Sequence, residues 1–258
     1  MGLKMVALIM SITDMKKYKV GFYDGKFLPF HNNKNLVINE STKNSGYIAI
    51  KSKKSGKQKI RIVKDDITYT YNIGNIFEFF PLQMGSGQYI IKLFPNISGR
   101  RYYTDGYITL DVELKNEYCP YLHGNQYVDC SIASIVDKTR KDFSILPITD
   151  RINAIKEYIK NEYEYDYIKS FIVKKVGELP DIKTCFEKKI GICQDLAGLT
   201  AAIFRIAGIP CKLVIGYIDN SVYHAWNEIY VDGNWEIFDP TKAIQGGKVN
   251  SYTKERWY

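Results

Sequence analysis

Histidine, tryptophan and cysteine are all scarce among the 258 residues, at three, three and five copies, and each scarcity narrows the possibilities. The cysteines (Cys119, Cys130, Cys185, Cys193 and Cys211) are odd in number and show no Cys-x-x-Cys spacing. That argues against both a disulfide framework and a zinc ribbon, and it favours residence in the cytoplasm. A secreted or cell-surface chain whose leader had been removed would read the same way. The only early apolar run, Met5 to Met10, is marginal as a signal-peptide core, lacks an Ala-x-Ala cleavage site, and is too brief to cross a bilayer. No transmembrane segment is expected. Low-complexity tracts and repeats of fixed period are also missing, which excludes disordered and solenoid architectures.

What remains is ordinary globular material, 45% hydrophobic and 25% charged, and long enough for two compact domains. The net charge of +8 is unevenly placed: residues 1–118 hold 18 Lys and Arg against 10 Asp and Glu, while residues 119–258 hold 18 of each. A boundary near 118 follows, giving an N-terminal domain over 1–118 and a second over 119–258. The basic first domain allows contact with an anionic polymer. No aromatic-basic recognition motif accompanies that charge, so specific nucleic-acid binding is not expected.

Within 1–118, stretches such as Tyr47–Ile50, Lys59–Val63, Thr68–Ile73, Tyr89–Phe94 and Tyr107–Leu114 alternate apolar with polar residues between Gly, Asn and Asp turns. This pattern predicts an Ig-like β-sandwich of about seven strands. The run Lys51 to Lys59 reads as a charged hairpin tip. Beyond Cys119-Pro120 the period changes to that of helices. Asp150 is expected to cap a helix from Arg151 to about Tyr163, and a short helix is expected over Ile182–Lys188. Helices followed by antiparallel strands make the second domain α+β.

The strongest helical signal runs from Gly191 to Pro210, where Ile192, Leu196, Leu199, Ile203 and Ile206 form one apolar stripe ended by Gly208 and Pro210. Cys193 falls in its first turn, where free backbone N–H groups and the helix dipole favour a thiolate. Asp195 sits close enough to oppose that effect. A cysteine near a helix start is more often a small core residue than a nucleophile, so a base has to decide the matter.

That base emerges from Val222–Asp239. Asp232-Gly233 between alternating apolar runs predicts a two-residue type I′ hairpin, in which Val231 pairs with Asn234, Glu228 with Ile237 and Trp226 with Asp239. Side-chain alternation then sets His224, Trp226, Ile237 and Asp239 on one face, with His224 diagonal to Asp239 and within hydrogen-bonding reach. His31 and His123 fall in loop-like sequence without such a carboxylate. Together Cys193, His224 and Asp239 form the nucleophile, base and orienting acid of a thiol-based catalytic site.

Three segments, Gly191-Ile-Cys-Gln-Asp-Leu-Ala197, Tyr223-His-Ala-Trp-Asn-Glu228 and Trp235-Glu-Ile-Phe-Asp-Pro-Thr241, resemble in order and spacing the motifs of the transglutaminase-like superfamily. The resemblance covers about 128–245. Leu179-Pro-Asp-Ile-Lys183 and Phe80 to Tyr89 also look like segments of bacterial members that carry a β-sandwich in front. It implies a papain-like core and attack by Cys193 on a protein or peptide amide, the acyl group passing to water or to a second amine. The Cys193 backbone N–H would help bind the oxyanion. Because no tryptophan precedes Trp226, Tyr165 is the candidate for a second oxyanion donor; Gln194 and Trp226 are assigned to the substrate groove. No cofactor or metal is expected, and the calcium sites of animal relatives have no counterpart. Three functions stay open: amide acyl transfer, peptide hydrolysis including that of cell-wall peptides, or a non-catalytic scaffold with a vestigial site.

Overall fold

The computed structural model describes residues 30–32, 35–172 and 178–258; the apolar run Met5 to Met10 lies outside them. The described residues divide into two compact units, one reaching Pro120 and the other Tyr121–Tyr258.

The first unit contains strands β1 (Phe30–Asn32), β2 (Leu36–Asn39), β3 (Tyr47–Ser52), β4 (Gln58–Lys64), β5 (Ile67–Asn72), β6 (Glu78–Pro81), β7 (Gly87–Ser98), β8 (Arg101–Tyr102) and β9 (Tyr107–Val112). They form two sheets, β1-β2-β3-β6 and β5-β4-β7-β8, with β9 also paired to β7. The alternation read from the sequence is visible in β7, where Tyr89, Ile91 and Leu93 are buried while Ile90, Lys92 and Phe94 are partly exposed. The inward rows of one sheet (Ile60, Ile62, Tyr69, Tyr71) meet those of the other (Ile38, Ile48, Ile50, Phe80). Tyr71 and Phe80 touch edge to face at 5.3 Å. Apolar faces excluded from water in this way make a β-sandwich. The Phe80 to Tyr89 segment closes on a hydroxyl: Tyr89 Oη donates within reach of the Leu82 and Gly85 carbonyls and accepts from Met84 N at 3.1 Å.

One expectation fails here. The Lys51 to Lys59 run is not a hairpin tip, because β3 pairs with β2 and β6 whereas β4 pairs with β5 and β7. The connection crosses between sheets, tied by Ser52 Oγ donating to Gln58 Oε1 at 2.6 Å. A Ser-Gly signal marks a turn in the chain without saying which strands that turn joins.

The second unit runs α1 (Ala133–Asp142), α2 (Ile148–Glu162), β10 (Glu164–Tyr165), α3 (Tyr167–Ile172), α4 (Ile182–Lys188), β11 (Ile190–Gly191), α5 (Cys193–Ile206), β12 (Cys211–Ile218), β13 (Val222–Val231), β14 (Asn234–Phe238), α6 (Pro240–Gln245) and β15 (Tyr252–Trp257). An antiparallel sheet, β14-β13-β12-β15, packs against α5, so the arrangement is α+β. Every residue of α5 from Asp195 to Ile206 is buried, which explains its small residues. A Cβ on Gly198 would stand 2.9 Å from Pro180 Cβ, and Asn227 Nδ2 of β13 donates to the Ala197 carbonyl at 2.9 Å. After the helix, Gly208 adopts φ +79°, the left-handed conformation that glycine tolerates.

Helix α2 begins earlier than its capping signal suggested. Pro147, with extended ψ, occupies the N-cap, and Asp150 lies within the first turn, where its charge still complements the dipole. Arg151 is anchored by its guanidinium to the Ala207, Ser144 and Leu146 carbonyls, tying the helix start to the end of α5.

Candidate active site

Helix α5 opens directly after β11, with Ile192 as an extended N-cap, so Cys193 is the first helical residue. Its side chain is partly exposed while the helix behind it is buried. Backbone N–H groups in a first helical turn have no intrahelical acceptor and point toward whatever occupies the N-terminus. The neighbouring carboxylate does not stand there uncompensated. Asp195, 1% exposed, accepts from Ile192 N at 3.1 Å and from Asp181 N at 2.8 Å, and Lys169 Nζ contacts it at 2.6 Å.

The hairpin that presents the histidine has the register its Asp-Gly turn dictates. Asp232 and Gly233 both adopt positive φ, and the pairs run from Val231 with Asn234 to Asn227 with Phe238. Pairing stops one step before Trp226 would meet Asp239. Asp239 instead leaves the strand and caps α6, its Oδ1 accepting from Lys242 N at 3.1 Å. Its other oxygen, Oδ2, lies 2.8 Å from His224 Nε2. Both residues are buried, at 6% and 8% exposure.

Engagement of Nε2 leaves Nδ1 as the ring nitrogen available to the thiol. Burial works against a charge on His224, yet hydrogen bonding to Asp239 and to Cys193 outweighs it and raises the pKa to about 9. An imidazolium is therefore favoured between an acid and a thiol. The remaining cysteines differ: burial pushes Cys130, Cys185 and Cys211 up to about 12, and raises Cys119 too.

Tyr165 comes to the same place through backbone pairing, because β10 runs parallel to β11 and sets Tyr165 beside Gly191. Burial raises its phenol pKa, with the nearby charge of Cys193 next in weight. Gln194 is partly exposed in the first turn. Trp226 corrects an expectation: it is 0% exposed, its ring aligned with His224 at 6.5 Å and against Tyr252 at 5.0 Å. It supports the histidine from inside and lines no groove. The other histidines are elsewhere, His31 in strand β1 rather than a loop and His123 offering its carbonyl to Arg205 at 2.6 Å.

Two contributors escaped the sequence reading. Tyr252 of β15 donates its hydroxyl to Asp239 Oδ2 at 3.1 Å, and Gly216 lies opposite His224 in the β12–β13 ladder. A Cβ on Gly216 would stand 2.1 Å from the Thr253 carbonyl oxygen and 3.0 Å from Trp226. The segment Tyr252–Trp257 is largely polar and exposed, and nothing local in it assigns a strand to the edge beside β12. Among the described residues, no cluster of three or more His, Cys, Asp or Glu could hold a metal ion, and no helix is long and apolar enough to cross a membrane.

The model of the transglutaminase-like superfamily core matches residues 136–240, a span that begins in α1 and ends just after Asp239. Residues 136–240 form a transglutaminase-like domain. Among curated proteins, YebA of Bacillus subtilis is 28% identical over 114 residues, covering 37% of this chain and 15% of that protein. Human kyphoscoliosis peptidase is 29% identical over 117 residues, covering 41% and 17%. The chain thus spans about a sixth of the length of these relatives. A solved structure from Cytophaga hutchinsonii, described as a candidate cysteine protease, aligns over 84% of this chain and 70% of that one, with 16% identity and a TM-score of 0.43.

Proposed function

We propose that the transglutaminase-like domain is a thiol hydrolase of protein or peptide amides. The observation that carries this reading is the buried contact of His224 Nε2 with Asp239 Oδ2 at 2.8 Å, on a ring that also interacts with Cys193. Asp239 fixes the tautomer and supports the imidazolium, which leaves Nδ1 to exchange a proton with sulfur. The Cys193 sulfur attacks the amide carbonyl, and His224 gives its proton to the departing amine, leaving a thioester. Water then attacks the thioester, His224 taking one of its protons and returning it to sulfur as the acid leaves. The Cys193 backbone N–H, and in this proposal the Tyr165 hydroxyl, meet the oxyanion. Gln194, partly exposed in the first turn of α5, is in this proposal a substrate contact. The peptidase name of the human relative supports hydrolysis over amine transfer.

The test is digestion of a peptide library with and without a tagged primary amine. Free carboxyl products that vanish in Cys193→Ala establish hydrolysis. Incorporation of the tag in place of free acid assigns transfer, and no turnover with either acceptor removes the catalytic reading.

A further inference from the structure

The outer face of the β5-β4-β7-β9 sheet carries a feature with no part in amide chemistry. A cavity of about 600 Å³ lies on it, walled by Arg61, Lys92, Phe94 and Tyr107 over an apolar floor of Val63 and Ile90. Thr68 and Thr104 bring hydroxyls to its rim, and no carboxylate lines it. Arg61 and Lys92 are direct cross-strand partners. Two cations in that relation repel each other, and among the described residues neither forms an ion pair. Arg61 lies over the Phe94 ring at 4.7 Å. The positive character continues beyond the groove, where Lys57 and Lys59 both approach the Tyr102 ring. All of this lies in the part of the chain that holds the whole excess of positive charge.

We propose that this groove binds an anionic glycan, with an acidic group of one sugar between Arg61 and Lys92 and the apolar face of a neighbouring ring on Tyr107. An anion there converts a repulsive pair into two charge-assisted contacts. Tyr107 lines the groove beside the two cations and is 62% exposed. That suits one sugar face better than a run of stacked bases, which needs successive aromatic platforms. The groove lies on a sheet face, not an edge, so an extended peptide could not be held by adding a strand.

Affinity electrophoresis of the full chain tests the proposal, with polygalacturonate as carboxylated glycan, phosphomannan as phosphorylated glycan, and dextran and oligodeoxythymidine as comparators. Retention by either anionic glycan is expected, with weakening of at least tenfold in Arg61→Gln/Lys92→Gln and in the charge-neutral Tyr107→Ala. The control Lys141→Gln/Lys160→Gln removes the same charge elsewhere and should keep full retention. Whichever glycan is retained more strongly identifies the acidic group. Unchanged thermal unfolding of the variants separates lost binding from lost fold, and where one of the two variants unfolds the other decides. Absence of retention, equal retention by dextran, equal loss in the control, or tighter binding of oligodeoxythymidine would each overturn it.

Discussion

Lys169 Nζ lies 2.6 Å from Asp195 Oδ2, two residues after the cysteine proposed as nucleophile. An uncompensated carboxylate at that position would work against a thiolate; paired with an ammonium and two backbone N–H groups, it is held as the acceptor that fixes the start of α5. Lys169→Met should therefore both destabilise and slow. The ammonium is about one-third exposed, so the loss falls below the range for a fully buried pair, at about 2 kcal/mol, read by urea unfolding. Alkylation of Cys193 at neutral pH should slow severalfold. Adding Asp195→Asn to Lys169→Met should restore part of the alkylation rate but not the stability, because the capping acceptor is weakened.

Cysteine reactivity gives a second prediction. At neutral pH, iodoacetamide followed by peptide mapping should label Cys193 before Cys119, Cys130, Cys185 and Cys211, whose thiols burial raises. His224→Ala should slow labelling of Cys193 at least about tenfold, the scale of a lost proton acceptor. Equal labelling of all five would remove the activated nucleophile.

The raised pKa of His224 makes stability depend on pH in a defined direction. Its folded value of about 9 exceeds the ordinary 6.5, so its contribution is complete below pH 6.5 and fades as pH rises through 9. The amount is on the order of 3 kcal/mol. Unfolding midpoints between pH 6 and 10 should fall more steeply for the native chain than for His224→Gln. Asp239→Asn, which withdraws the main supporting contact, should move the fall toward neutral pH.

Gly216 and Tyr252 probe the support behind the ring. Gly216→Ala meets backbone at 2.1 Å, so the edge strand has to move; a loss of about 3 kcal/mol is expected from such overpacking, measured by thermal unfolding. Tyr252→Phe removes one hydrogen bond to Asp239 and keeps the ring against Trp226. A severalfold fall in kcat with unchanged KM is expected, since the hydroxyl acts through the acid and touches no substrate.

The relation of sequence to structure follows the range of the forces involved. Short-range rules were informative: the Asp-Gly turn set the register of β13 and β14 as far as Phe238, and the apolar stripe of α5 located the buried helix that carries Cys193. They reached their limit where partners are remote in the chain. Nothing near Lys169 points to Asp195, 26 residues on, and nothing near Lys51 to Lys59 says that the segment joins different sheets. Trp226 shows a related failure: alternation placed it on the face of His224, but on that face the Tyr252 side chain, from the edge strand β15, packs on the indole.

Asp239 divides its two oxygens between a backbone amide of α6 and the ring of His224. Because one rigid planar group serves both, unwinding α6 would rotate the acid away from the imidazole. Events confined to Pro240–Gln245 would thereby be registered at the imidazole as a change in basicity.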